Sequence, residues 1–149
     1  MAIIRKTKNE PYSAEQMYRL VNDVEAYPEF LPWCGDTRIS DITQTSMKAA
    51  IKMQKGPLDK WFSTQNTLEY GKRIQLNLLD GPFRKLHGDW QFEEINAHES
   101  KVKLVLEFEF GFGMIGILLE PIFNSIASTL VDSFSERARQ IYLPFDHDK

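Results

Sequence analysis

Between Lys101 and Phe112 apolar and polar side chains alternate almost without a break. Val102, Leu104, Leu106, Phe108, Phe110 and Phe112 fall on one face; Lys101, Lys103, Val105, Glu107 and Glu109 fall on the other. A period of two with one apolar face marks a strand buried on one side, as in an antiparallel sheet. Weaker forms of the pattern lie upstream. Residues 2–10 alternate loosely. In 46–54, Met47, Ala49, Ile51 and Met53 share a face, and residues 58–70 form a longer strand. Ile74, Leu76 and Leu78 alternate with polar residues, and Leu86, Trp90 and Phe92 share the next face. Gly56-Pro57, Gly71-Lys72, Asp80-Gly81-Pro82 and Asn96–Ser100 are turn signals between these runs. Such short turns connect antiparallel neighbours.

Two segments carry a helical period instead. Ser13 is an N-cap with Gln16 three residues on, and Met17, Leu20, Val21 and Val24 repeat at helical spacing. Pro28 and Pro32 then bracket a second short helix or turn. From Met114 to Tyr142, the stripe Ile115, Leu119, Ile122, Ile126, Leu130, Phe134, Ala138 and Ile141 predicts one long helix. It would span about 43 Å, against a radius of gyration of about 15 Å for the domain, so it must cross the molecule against the sheet. Pro121 should kink it or mark its start. Gly111, Gly113 and Gly116 surround the strand-to-helix junction as a tight turn or a hinge. The tail, 143–149, is expected to fray.

The fold class expected is α+β. It is a helix-grip arrangement, a curved antiparallel sheet of about six or seven strands around a long C-terminal helix, with two short helices after the first strand. The 149 residues suit a single domain, 1–149. Charge changes the picture little: 18 basic against 21 acidic residues give −3, with no overall signal for nucleic acid. A lone cysteine, Cys34, excludes an internal disulfide and cysteine-paired zinc. The N-terminus shows no secretory apolar region, and the longest apolar run, Phe110 to Leu119, is short for a membrane span. The expected location is cytoplasmic, peripheral to the inner membrane at most. Aromatics are the one surplus, with ten Phe, three Trp and five Tyr.

Three strings carry more than pattern: YSAEQMYRLVNDVEAYPEFLPWC at 12–34, LDGPFRKLHGDWQF at 79–92 and LVDSFSERARQIY at 130–142. Together they resemble the family that joins the bacterial ribosome association toxin A proteins with the mitochondrial coenzyme Q-binding proteins. That family lies within the START-like (polyketide cyclase/dehydrase and lipid transport) superfamily. The resemblance runs from about Ile3 to Tyr142, with Glu25 where an acidic residue is usual. It implies a helix-grip fold, no metal and no catalytic residues. It also implies one of two roles: binding a polyprenyl quinone (ubiquinone) in support of respiration, or binding the large ribosomal subunit and blocking subunit joining.

For the first role, a hydrophobic small molecule would be lined on the sheet by Phe62, Leu76, Leu78, Trp90, Phe92, Leu104, Leu106 and Phe108. Leu118, Ile122, Ile126 and Leu130 would line the helix side. Phe and Leu would fill a plain packed core equally well, so periodicity leaves that alternative open. Thr64 and Asn66 share parity with Phe62 and Leu68 and so point inward. Asn66 is the candidate polar anchor, and a buried amide needs a partner. Tyr27, Phe30, Trp33, Pro82 and Phe83 would form a cavity rim with transient membrane contact. For the second role, Lys48, Lys52, Lys60, Arg84 and Lys85 are the candidate ribosome contacts. An enzyme is the remote alternative. His87 should face solvent, His98 lies in a turn, and no nucleophile–base set is visible, so no catalytic residue and no resident cofactor is expected.

Overall fold

A computed structural model of the chain describes residues 2–111 and 113–142. Phe112, expected on the buried face of its strand, and the tail 143–149 lie outside the described residues. Among the described residues seven strands form one sheet: β1 (Ala2–Glu10), β2 (Cys34–Ser40), β3 (Ser46–Lys55), β4 (Leu58–Glu69), β5 (Arg73–Asp80), β6 (Phe83–Asn96) and β7 (Glu99–Phe110). Their order is β1-β7-β6-β5-β4-β3-β2, with every neighbouring pair antiparallel. From β2 to β7 each strand pairs with the next, and β1 joins outside β7. Only the β1–β2 connection crosses the sheet. It is built from helix α1 (Ala14–Asn22) and a 3₁₀ helix (Val24–Glu29). The long helix α2 (Gly113–Ile141) packs on β1 and β7.

The N-cap of α1 is as its sequence predicts. Ser13 Oγ accepts from the Gln16 amide at 3.0 Å, and Gln16 Oε1 accepts from the Ser13 amide at 2.9 Å. Each satisfies an amide the helix would otherwise leave unpaired. The 3₁₀ helix begins at Val24, upstream of the expected proline-bounded segment. The Phe30 and Leu31 amides both return to the Tyr27 carbonyl, so the turn closes around Pro28.

Three features depart from the expected pattern. Strand β2, CGDTRIS, carries no alternation that would reveal it. It is an edge strand in which Cys34 alone is fully buried, and partly covered edges need no apolar face. The buried line of α2 runs through Leu119, Phe123, Ile126, Ala127, Val131, Phe134 and Ala138. It is rotated from the predicted stripe because apolar residues also occupy neighbouring positions. Ile115 and Ile141 are exposed, and Ile122 and Leu130 lie at the edge, half-buried. The helix runs through Pro121, so its start is Gly113, where φ is +71°. Gly116 is a packing position, since a Cβ there would stand 2.0 Å from the Gly111 carbonyl oxygen. One 18-residue window of α2 is apolar enough, by length and composition, to cross a membrane. Here its buried line lies against the sheet.

Bulges in β5 between Leu78 and Asp80, opposite Ser63/Thr64, and in β6 between Phe83 and Lys85 add bend to the sheet. On its outer face Arg73 grips Asp89 through two hydrogen bonds, Nε to Oδ1 at 2.9 Å and a terminal nitrogen to Oδ2 at 2.8 Å. Those bonds hold the Asp89 carboxyl below its ordinary value. A carboxyl so depressed adds stability above its unfolded value of about 3.9 and loses it as pH falls through the folded value. Asp89→Asn should therefore lower urea-unfolding stability at pH 7. The gap from the parent should close as pH falls below about 4. A gap independent of pH would show that the ion pair is not its source.

Candidate functional site

Between the concave face of the sheet and α2 lies a cavity of about 80 Å³. The middle strands supply its floor, because inward positions of β3 to β7 alternate with solvent-facing ones. Eight of the predicted lining residues border it: Phe62, Asn66, Leu76, Trp90, Leu104, Leu106, Ile126 and Leu130. Tyr27 and Trp33, expected at the rim, also border it. The reading of the sequence missed Asn22, Val24, Ala49 and Leu86, among others. Asn22 and Val24 come from the crossing segment, whose path over the sheet is a tertiary fact that no local period encodes.

Other expected lining positions do not border the cavity. Leu118 is 58% exposed on the outward side of α2. Ile122 and Leu78 are half-buried beside the cavity rather than on it. Phe108 is fully buried but meets the Phe123 ring at 4.7 Å, which fills its side of the core. Phe92 packs edge-on against Tyr18 of α1 at 5.7 Å.

Aromatic clusters close both ends. Phe83 meets Phe110 at 4.7 Å, Phe123 at 4.8 Å and Phe62 at 5.6 Å. At the other end Phe134 meets Tyr27, Phe30 and Trp90, each at 5.4 Å. Hence Tyr27, Trp33 and Phe83 are at most 9% exposed and face inward. They cannot form the membrane-touching rim expected of them. Phe30 and Pro82 are half-buried. Phe30 is covered by the Arg137 guanidinium at 5.0 Å, itself tied to Glu29 at 2.8 Å. Four exposed apolar side chains, Met114, Ile115, Ile117 and Leu118, lie on the first turns of α2.

The polar content of the site is small and specific. Thr64 and Asn66 are 4% and 3% exposed, and the Thr64 hydroxyl donates to Asn66 Oδ1 at 2.6 Å. Among the described residues no charged side chain borders the cavity. A second buried polar pair lies outside it: the Ser135 hydroxyl donates to Glu10, tying α2 to the end of β1. Cys34 is buried, and that burial pushes its thiol up to about 11, so it stays protonated and weakly nucleophilic at neutral pH. His87 lies on the outer face, 2.9 Å from Asn77 Oδ1. Among the described residues no three His, Cys, Asp or Glu gather as a metal site.

The candidate ribosome contacts are not gathered into one patch. Lys48 and Lys52 share the outer face of β3, but Lys48 pairs with Asp41 at 2.9 Å and Lys52 with Asp59 at 3.9 Å. Lys60 has the parity of Phe62 and lies on the opposite face, at the end of β4. Arg84, paired with Glu109 at 3.2 Å, and Lys85 sit on β6, three strands from β3.

A sheet gripping a helix over an apolar cavity defines a START-like domain. The chain belongs to the polyketide cyclase/dehydrase and lipid transport family, whose model matches residues 11–135. It is similar to the ribosome association toxin RatA of Escherichia coli K12, 41% identical over 95% of this chain and 90% of that protein. It is more distantly similar to the mitochondrial coenzyme Q-binding protein COQ10 of Dictyostelium discoideum, 26% identical over 91% of this chain and 68% of that one. Among solved structures, the Zhui aromatase/cyclase from Streptomyces sp. R1128 superposes with a TM-score of 0.80 at 14% identity, covering 93% of this chain and 94% of that one. That likeness is one of fold. The relatives named here at the level of sequence carry names of a ribosome partner and a quinone binder, whereas the structural neighbour is a named enzyme.

Proposed function

We propose that this protein binds a neutral, hydrophobic small molecule, of the polyprenyl quinone class, in the cavity between sheet and α2, without chemistry of its own. The observation that carries the reading is a cavity bordered, among the described residues, by apolar side chains and a few amides and hydroxyls, with no charge. Ligand sites have that composition, and a charged ligand there would be buried without a counter-ion. The cavity of about 80 Å³ is smaller than the roughly 300–1,000 Å³ of typical ligand sites. A prenyl chain is therefore accommodated by displacement of α2 or of the 22–33 segment. The aromatic contacts to Phe134 hold those two parts together. Mass spectrometry of organic extracts from purified, folded protein should find an isoprenoid quinone. Extracts that never contain one, together with no binding of added quinone, would overturn the reading.

The similarity to RatA favours a second reading, association with the large ribosomal subunit in the cytoplasm. The paired and scattered lysines give this no ready-made phosphate-binding patch, so it rests on the sequence likeness. Co-sedimentation with large subunits at low salt, lost on replacing Lys48 and Lys52 by Glu, would support it. Absence from ribosomal fractions at low salt would count against it. Cavity and surface are different parts of the molecule, so the two activities can be tested separately.

A further inference from the structure

Trp33 and Asn22 both border the cavity, and each carries a buried polar atom, Trp33 Nε1 and Asn22 Oδ1, that has no hydrogen-bond partner among the described residues. Asn22 ends α1 and Trp33 immediately precedes β2, so they stand at the two ends of the segment that joins those elements. Trp33 is 9% exposed. An indole nitrogen only donates, and an amide oxygen only accepts. Leaving such groups unmatched in an apolar interior is costly. Two other polar groups here are already engaged. The Tyr27 hydroxyl donates to the Val21 carbonyl, and Asn66 Oδ1 accepts from Thr64. The predicted anchor Asn66 is thus engaged through its oxygen, whereas Trp33 Nε1 and Asn22 Oδ1 are a donor and an acceptor with no partner among the described residues.

We infer that Trp33 and Asn22 form the seat for the ligand's polar head, and that this head carries a hydroxyl. One hydroxyl oxygen accepts from Trp33 Nε1–H while its hydrogen is donated to Asn22 Oδ1. A carbonyl satisfies Trp33 alone and leaves Asn22 unmatched. Because no charged side chain among the described residues borders the cavity, the head is neutral, which excludes carboxylates and phosphates. Within the quinone class proposed above, on which this inference rests, the reduced quinol is favoured over the oxidised quinone. Meeting rather than abandoning one buried acceptor corresponds to about a tenfold preference.

The test uses the full chain labelled with ¹⁵N at its indole nitrogens. It is titrated anaerobically with a short-chain benzoquinol, held reduced by dithionite, and separately with the matching benzoquinone. The Trp33 indole signal should move downfield with the quinol, which should bind about tenfold more tightly. Asn22→Leu should bring the two affinities within about twofold while quinone binding persists. Trp33→Phe should weaken both probes and abolish the preference. A titration that moves the Trp90 signal but not that of Trp33 would overturn the head-group seat and leave cavity binding standing. Equal affinities in the parent would overturn it as well. If neither probe moves either signal, cavity binding itself is refuted, and the seat with it.

Discussion

Replacing Phe123 by alanine is expected to remove about 3–5 kcal/mol of unfolding free energy. Phe123 is 4% exposed, and its ring meets Phe83 at 4.8 Å, Phe108 at 4.7 Å and Phe110 at 5.9 Å. It therefore joins α2 to β6 and β7 at the end where the helix begins. Truncation removes buried apolar surface and three aromatic contacts together. The space left cannot collapse, because the ring's partners are held by the sheet. The midpoint of thermal unfolding should fall by about 10 °C. Urea unfolding should show a lower midpoint with an unchanged slope, since the same surface is exposed on unfolding. A loss below about 1 kcal/mol would mean that the first turns of α2 are not clamped to the sheet.

The aromatic surplus visible in the composition is largely spent on this closure. Its strand positions were legible because strict alternation fixes a face: Leu104, Leu106, Phe108 and Phe110 are all buried as the pattern predicts. Which buried residue reaches the cavity was not legible, since parity assigns a face but not a neighbour. Phe108 and Leu106 share a face, yet Phe123 covers one and leaves the other open. The long helix was legible in extent but not in rotation. Adjacent apolar pairs such as Ile122-Phe123 and Leu118-Leu119 let the stripe be drawn along either edge. Strand β2 was invisible because an exposed edge needs no apolar repeat. Trp33 was expected at a rim, and no pattern singled out Asn22. Only the path of the chain between α1 and β2 sets them beside strands β3 to β7. The lysines of β3 were placed on the right face, but their pairing with Asp41 and Asp59 depends on turns whose shape the pattern does not specify.

The second large effect separates a ligand cavity from an ordinary core. Ala49 lies at the centre of β3, opposite Thr64, is 3% exposed and borders the cavity. Ala49→Ile adds three carbons where open space is available, and a β-branched side chain suits a strand. Overpacking costs about 1–3 kcal/mol in a filled core. Here added carbons enter a void of about 80 Å³ and each gains about 0.8 kcal/mol on burial. Stability should therefore stay within about 1 kcal/mol of the parent or rise. Affinity for a quinone or quinol probe should fall by roughly a hundredfold or more, because the same space cannot hold both. A buried charge such as Ile126→Glu would also abolish binding, but by endangering the fold, so it does not discriminate. Co-sedimentation with ribosomal subunits, if it is a property of the outer surface, should be the same for Ala49→Ile and the parent. A stable Ala49→Ile protein that binds the probes as tightly as the parent would place the ligand outside the cavity. One that loses both binding and ribosome association would show that occupancy of the interior controls the surface.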